Sequence, residues 1–316
     1  METPKKEGWE RELLEKLAAG SLKEQRARRR WGVFFKLATL GLIVFGFWYA
    51  IHYQSTDTTV VGRHTAVVNL NGTIDADGNG SASVLIPALD SAFAAKDSVG
   101  VILHVNSPGG SPVQAGMIND EIVRLRKQYP KKPLYVVADE MCASGCYYIA
   151  VAADKIFVNK ASIIGSIGVL MDGFGFTGLM DKVGIERRLL TAGENKGMLD
   201  PFSPVNPAQK AYAQEMLSDI HQQFIDVVRK GRGTRLKETP ETFSGLFWIG
   251  TKAIDMGLVD GLGTVDSVAR DELKAEDQVD YTKNEGLPER VLKKFGVAVG
   301  AGAFEAMMNN QKPTLR

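Results

Sequence analysis

Ser144 lies in Asp139-Glu-Met-Cys-Ala-Ser-Gly-Cys-Tyr-Tyr148, a setting in which a serine can act as a nucleophile. A β-rich run, Pro133-Leu-Tyr-Val-Val-Ala138, leads in, and a helix-like run from Tyr147 to Ala153 leads out. The small-residue turn Ala143-Ser144-Gly145 joins them. Such a turn lifts a hydroxyl off the end of a strand and leaves the following N–H groups at a helix N-terminus, where an oxyanion finds donors. A second turn, Ser107-Pro-Gly-Gly110, follows another strand-like run. Lacking side chains, Gly109 and Gly110 let backbone come close to a substrate and aim N–H groups at it. Gly110 with Gly145 would make a two-donor oxyanion hole, each donor worth about 3 kcal/mol of barrier. Taken singly, both motifs have plainer readings: Ser144 as a helix N-cap, and Ser107–Gly110 as an ordinary turn.

A serine nucleophile needs a base. Of the four histidines, His52 borders an apolar run, His64 opens the domain, His104 lies inside a strand and His221 lies on a long helix. None sits in a glycine-rich loop, and His104 reads as strand packing. A lysine can serve when neutral, which burial or a nearby positive charge favours. Lys196, in Thr191-Ala-Gly-Glu-Asn-Lys-Gly-Met198, follows a strand-like run and has glycines on both sides. On residue order alone it stands beside Lys155, Lys160 and Lys182 as a candidate. Cys142 and Cys146 flank Ser144. Two cysteines are too few for a disulfide framework, and four residues apart across a turn into a helix is poor bridging geometry. Pairing in an oxidising compartment is the alternative to the expected reading, small buried hydrophobes with free thiols.

The elements that must hold these residues follow from His64 onward. Strand-like runs at 65–74, 99–105, 134–138, 155–158 and near 185–191 alternate with helical patterns at 83–95, 114–128, near 177–183, 207–230 and 251–262. That alternation predicts an α/β domain, a mostly parallel sheet with crossover connections, over residues 64–285.

Ahead of it stands a basic block, Arg26-Ala-Arg-Arg-Arg30, then an apolar run from Trp31 to Ala50 broken only by Lys36 and Thr39. Its length approaches the ~20 residues that cross hydrocarbon as a helix. Trp31, Trp48, Tyr49 and Tyr53 fall near its ends, where interfacial aromatics belong. No small-residue cleavage pattern follows. The expectation is an uncleaved anchor over 31–52, with a charged cytoplasmic leader at 1–30 and everything after the span outside. A polar linker covers 53–63, and the small-residue tail at 286–316 is expected to be mobile. A net charge of +1 gives no footprint for nucleic acid.

Several motifs in one order make the chain resemble the signal peptide peptidase A family, membrane-anchored serine peptidases of the Ser–Lys type. They are Asn106-Ser-Pro-Gly-Gly110, Ala143-Ser-Gly145 with Tyr147-Tyr-Ile, Ala153-Asp-Lys-Ile-Phe157, Gly165-Ser-Ile-Gly-Val169, the Lys196 loop with Pro201, and Gly257-Leu-Val-Asp-Gly261. The resemblance implies a ClpP/crotonase-like fold of βαβ units, in the compact single-repeat form. It implies Ser144 as nucleophile, Lys196 as general base, Ser166 as the hydroxyl that orients the lysine, Gly110 and Gly145 as the oxyanion hole, and Gly109 as a substrate-binding glycine. It also implies hydrophobic peptide substrates such as signal peptide remnants, and a homo-oligomeric ring, tetramer to octamer, whose protomers complete each other's clefts. No cofactor or metal is implied. Cys142 and Cys146 stand where that family more often has Ala and Gly, and the loop after Gly110 is a residue shorter than in relatives with three glycines. Acyl-CoA chemistry on the same fold and a non-catalytic membrane scaffold are the rival readings.

Overall fold

Strand β3 (Leu134–Ala143) is the axis of the fold, and it runs without a break to the residue before Ser144. The computed structural model describes residues 62–282, together with residues 28–46, 48–49 and Lys16. Within the unit Val60–Lys283, β1 (His64–Asn71), β2 (Ser98–Ser107) and β3 form the centre of an eight-stranded sheet. The sheet order is β6-β5-β3-β2-β1-β8, with β4 paired to β3 and to β7. Here β4 is Lys155–Val158, β5 Ile163–Gly165, β6 Phe247–Ile249, β7 Gly261–Leu262 and β8 Gln278–Asp280. All pairings are parallel except β5 with β6. This bears out the mixed α/β, mostly parallel sheet and fits a ClpP/crotonase-like fold.

Parallel neighbours need crossovers, and these are α1 (Ala82–Ala94) between β1 and β2, and α2 (Pro112–Gln128) between β2 and β3. Strand side chains alternate between faces. Val68, Leu103 and Val136 therefore enter the main core with Leu85, Leu89, Ile118 and Ile122 of the two helices. Ile102, Val137 and Phe157 point the other way, onto Val268 and Ala269 of α7 (Val265–Asp271).

Strand β3 changes partner along its length. Tyr135–Ala138 pairs with β4, whereas Met141–Ala143 pairs with β5. The expected strand at 134–138 is thus half of the real one, because the charged Asp139-Glu140 pair hides its continuation. The helix α3 (Gly145–Ala150) follows Ser144 at once. The long helix α5 (Pro207–Arg232) crosses behind it, capped by the Asn206 side chain accepting from Ala208 and Gln209 amides. The short helix α6 (Gly250–Asp255) follows β6.

Two expectations differ from the fold. Helix α4 (Thr177–Val183) forms, but the strand expected near 185–191 does not. Those residues pair with no sheet edge, and Ile185, Leu189 and Leu190 stand exposed. Residues 28–46 and 48–49 are helical and exposed, yet no described helix is long and apolar enough to cross a membrane. The expected span at 31–52 extends over positions 47 and 50–52, which lie outside the described residues, as do most of the 1–30 leader, the linker to 61 and the tail from 283.

Candidate active site

Ser144 occupies the junction between β3 and α3 with φ +53° and ψ −123°. A residue with a side chain adopts such backbone at a cost of about 1–3 kcal/mol, held in place by its surroundings. Two backbone bonds hold it here. The Ser144 amide donates to the Gly165 carbonyl at 2.8 Å, and the Ser144 carbonyl accepts from the Tyr148 amide at 3.0 Å. The Ser144 side chain makes no capping hydrogen bond. The plainer N-cap reading is therefore not what its hydroxyl does.

The glycine turn packs straight against this elbow. A Cβ on Gly109 (φ +98°) would sit 2.7 Å from the Ala143 carbonyl oxygen and 2.8 Å from Ser144 Cβ. One on Gly110 (φ +148°) would reach within 2.1 Å of the Ile74 carbonyl oxygen. Only glycine fits at either place. The turn is locked to β1's exit by Ile74 N–H donating to Gly109 at 2.9 Å and Ser111 N–H donating to Ile74 at 2.8 Å. A Cβ on Gly145 would lie 3.3 Å from the Gly110 nitrogen. The two amides are neighbours, and among the described residues neither donates to another protein group. Two open N–H groups beside a serine hydroxyl at a helix start can stabilise an oxyanion.

Ser166 also has positive φ, +51°, and its amide donates to the Leu246 carbonyl at 2.7 Å. It lines the same cleft as Ser144, Gly110 and Gly145, a space of about 680 Å³. Tyr148, Val169, Leu170, Ile220 and Phe224 give the cleft an apolar wall. Among the described residues lining it, none is Asp, Glu, Lys or Arg. Burial, then the Asp120 charge, pushes the Tyr148 hydroxyl above its ordinary value.

Of the predicted site residues, the fold brings Ser144, Gly109, Gly110, Gly145 and Ser166 together. Lys196 is not brought to them. It is exposed, outside the cleft lining, in a turn where its amide donates to Gly193 at 3.1 Å. His221 reaches the cleft from α5, with Nε2 donating to the Ile167 carbonyl at 3.1 Å. It was not among the predicted site residues, although Ala213, Phe224 and Val228 form the buried stripe of that helix and His221 falls between them.

Cys142 and Cys146 correct the expectation of unpaired thiols: they form a disulfide, with Cα atoms 5.1 Å apart. The physical reason is the Ser144 backbone. A left-handed residue between strand and helix folds the chain back, so the last strand turn and the first helical turn face one another within bridging range.

The Peptidase family S49 profile matches residues 126–280. The protein from Brucella abortus named Na(+)/H(+) antiporter NhaA is 43% identical over 209 residues, 65% of this chain and 28% of that protein. A relative from Methanocaldococcus jannaschii, bearing a provisional protease name, is 34% identical over 227 residues, 68% of this chain and 71% of its own length. Protease 4 of Haemophilus influenzae is 32% identical over 230 residues, 71% of this chain and 36% of its own. The chain thus spans under a third of the Brucella relative and just over two thirds of the archaeal one.

Proposed function

The chain belongs to peptidase family S49, and from that membership and the Ser144 elbow we propose a membrane-anchored serine endopeptidase that cleaves hydrophobic peptides, signal peptide remnants among them. The observation that carries this reading is the open pair of amides at Gly110 and Gly145 beside an uncapped serine, in a cleft whose described lining has no Asp, Glu, Lys or Arg. The Ser144 hydroxyl attacks the scissile carbonyl, its proton passes to a neutral lysine, and the two amides hold the oxyanion as the tetrahedral centre forms. The lysine returns the proton to the leaving amine. Water then opens the acyl-enzyme by the same route in reverse. The apolar wall formed by Tyr148, Val169, Leu170 and Phe224 suits an apolar side chain next to the cleaved bond.

Lys196 is assigned as that lysine, with Ser166 orienting it. Because Lys196 is exposed and outside the cleft of its own chain, the reading includes a homo-oligomeric ring in which one copy carries Lys196 to its neighbour's Ser144. The apolar side chains of the connecting segment support this. Leu170, Phe174, Leu179, Val183, Leu190 and Val205 are all exposed, and helix α4 buries none of its residues. A soluble surface rarely carries so much apolar area without a partner.

The anchor is placed at 31–52, with the amino end cytoplasmic and the catalytic domain extracytoplasmic. The basic block at 26–30 supports this orientation. So does the cystine, because such bonds persist in oxidising compartments.

The test is cleavage of a fluorogenic apolar peptide by the detergent-solubilised full chain. Ser144→Ala and Lys196→Ala are each expected to lose about 10⁴–10⁶ in kcat. Assemblies mixing the two variants are expected to recover part of the activity, since some sites then hold an intact serine and an intact lysine. Wild-type rates in Ser144→Ala would sink the reading. No recovery on mixing, with both single variants dead, would place the base in the same chain as the serine.

A further inference from the structure

We infer that the Cys142–Cys146 disulfide is the positioning device of the Ser144 elbow, so that turnover depends on that bond being oxidised. This rests on the serine peptidase reading above. The two cysteines are the chain's only ones, and they bracket Ser144 symmetrically.

What the bond ties together is the site itself. Cys142 stands in β3 opposite Ser107 of β2, which leads into Gly109 and Gly110. On its other side it stands opposite Ile164 of β5, two residues before Ser166. Cys146 lies in the first turn of α3, next to Gly145. The covalent link joins β3, which leads to the nucleophile and is paired with the strands leading to the glycine turn and to Ser166, to the helix start that supplies the second amide. Both cysteines are completely buried in the main core.

A general stabilising role explains less. A bridge stabilises mostly by limiting the unfolded chain, and the effect grows with the length of loop closed. Five residues is among the shortest loops a disulfide closes, so its constraint is local. The local structure it constrains is Ala143-Ser144-Gly145, whose central residue holds a φ of +53°.

Reduction changes the packing there. A dithiol reductant attacks one sulfur to give a mixed disulfide, then closes its own ring, leaving two protein thiols and one oxidised reductant; two electrons and two protons are transferred. Two unbonded thiols need more room than a bonded pair, and a close-packed interior supplies none without movement. The segment free to move is the strained turn between them. Ser144 and the Gly145 amide shift, while the cleft wall that Phe224 and His221 supply from α5 is carried by a separate helix and stays. Substrate binding is then largely kept and transition-state stabilisation is lost.

The experiment measures kcat and KM of the oxidised full chain in detergent on the apolar peptide, before and after dithiothreitol. Thiols are counted and the reductant removed before assay. A shift of about 1 Å at a reacting group costs up to a hundredfold, so the expected result is a kcat lower by about tenfold or more with KM within about twofold, restored on reoxidation. The Cys142→Ala/Cys146→Ala variant, whatever its own rate, is expected to be indifferent to dithiothreitol. An unchanged kcat with two thiols counted per chain overturns the inference, as does equal loss in the double variant. If the buried bond resists the reagent, Cys146→Ser stands in for the reduced form, and a wild-type kcat there overturns the inference equally. An oxidised wild-type chain that cleaves nothing would instead refute the peptidase reading.

Discussion

The Ser144 amide donates to the Gly165 carbonyl at 2.8 Å, so the proposed nucleophile is tied by one backbone bond to the residue just before Ser166. Both serines have positive φ, +53° and +51°. The sheet pairing of Met141–Ala143 with Ile163–Gly165 ends where these two turns begin. Two serines thus follow the ends of neighbouring parallel strands and line one cleft. Ligand sites in open α/β sheets lie at such carboxyl ends.

Gly110→Ala tests the oxyanion turn. The new Cβ would meet the Ile74 carbonyl oxygen at 2.1 Å, and that carbonyl is held by the Ser111 amide. The turn must shift, and the Gly110 N–H moves off the oxyanion position. The expected result is a loss of about 10²–10³ in kcat, the usual value of one oxyanion donor. The fold should survive, checked by circular dichroism, and a kcat within threefold or so of wild type would count against Gly110 as a donor.

The apolar segment predicts an assembly. Phe174 and Leu190 are 80% and 96% exposed, so charging them strains nothing within the chain. Phe174→Glu and Leu190→Glu are expected to leave the melting temperature of the isolated protomer nearly unchanged while dispersing the oligomer, read by light scattering after size exclusion. Cleavage should fall in parallel. Intact assemblies in both variants would mean that another surface joins the copies.

The elbow was legible because its parts are local: a strand, a three-residue small turn and a helix, each with its own sequence signature. The glycine turn was legible for the same reason. The Cys142–Cys146 bond was not, since separation along the chain says nothing of a left-handed residue that folds it back. Residues 185–191 have the apolar content of a strand, but a strand needs an edge to pair with, and among the described residues they pair with none. Their apolar side chains are better explained by a partner than by a sheet. Lys196 was chosen over Lys155, Lys160 and Lys182 through family likeness alone, and in this chain it lies outside the cleft that holds Ser144. His221 could have been found from helical period. It lies three residues before Phe224, on the buried stripe.

Tyr147→Phe probes how α3 is seated. Tyr147 is completely buried, and its hydroxyl donates to the Leu258 carbonyl at 2.7 Å. Burial pushes that hydroxyl well above the ordinary tyrosine value, so it stays a donor throughout the neutral range. Phenylalanine keeps the ring but leaves a buried carbonyl without its donor, at about 1–3 kcal/mol. Thermal or denaturant unfolding reads this loss. Since Tyr147 points away from the cleft into the core, KM should hardly move.

Asp260 and Arg232 predict the acid limb of stability. Arg232 is buried at the end of α5, its Nη1 and Nη2 donating to Asp260 at 2.8 and 3.0 Å and its Nε to the Gly257 carbonyl at 2.8 Å. Asp260 also accepts from Arg235 at 3.0 Å and from the Ile156 amide at 2.8 Å. Burial alone would push the Asp260 carboxyl up, but the bonds and charge of Arg232, with Ile156 and Arg235, hold it below its ordinary value. A carboxyl depressed in the folded state contributes stability that is fully present above its unfolded value near ~3.9 and is lost as pH falls through the lower folded value. Melting temperature should therefore fall steeply below about pH 4 in wild type. In Asp260→Asn that part of the slope should vanish. The variant should also be weaker at neutral pH by about 3 kcal/mol, because it leaves a buried guanidinium without its countercharge. Scanning calorimetry from acid to neutral pH on both proteins measures slope and offset together. A variant with the wild-type acid slope would assign that limb to other carboxylates.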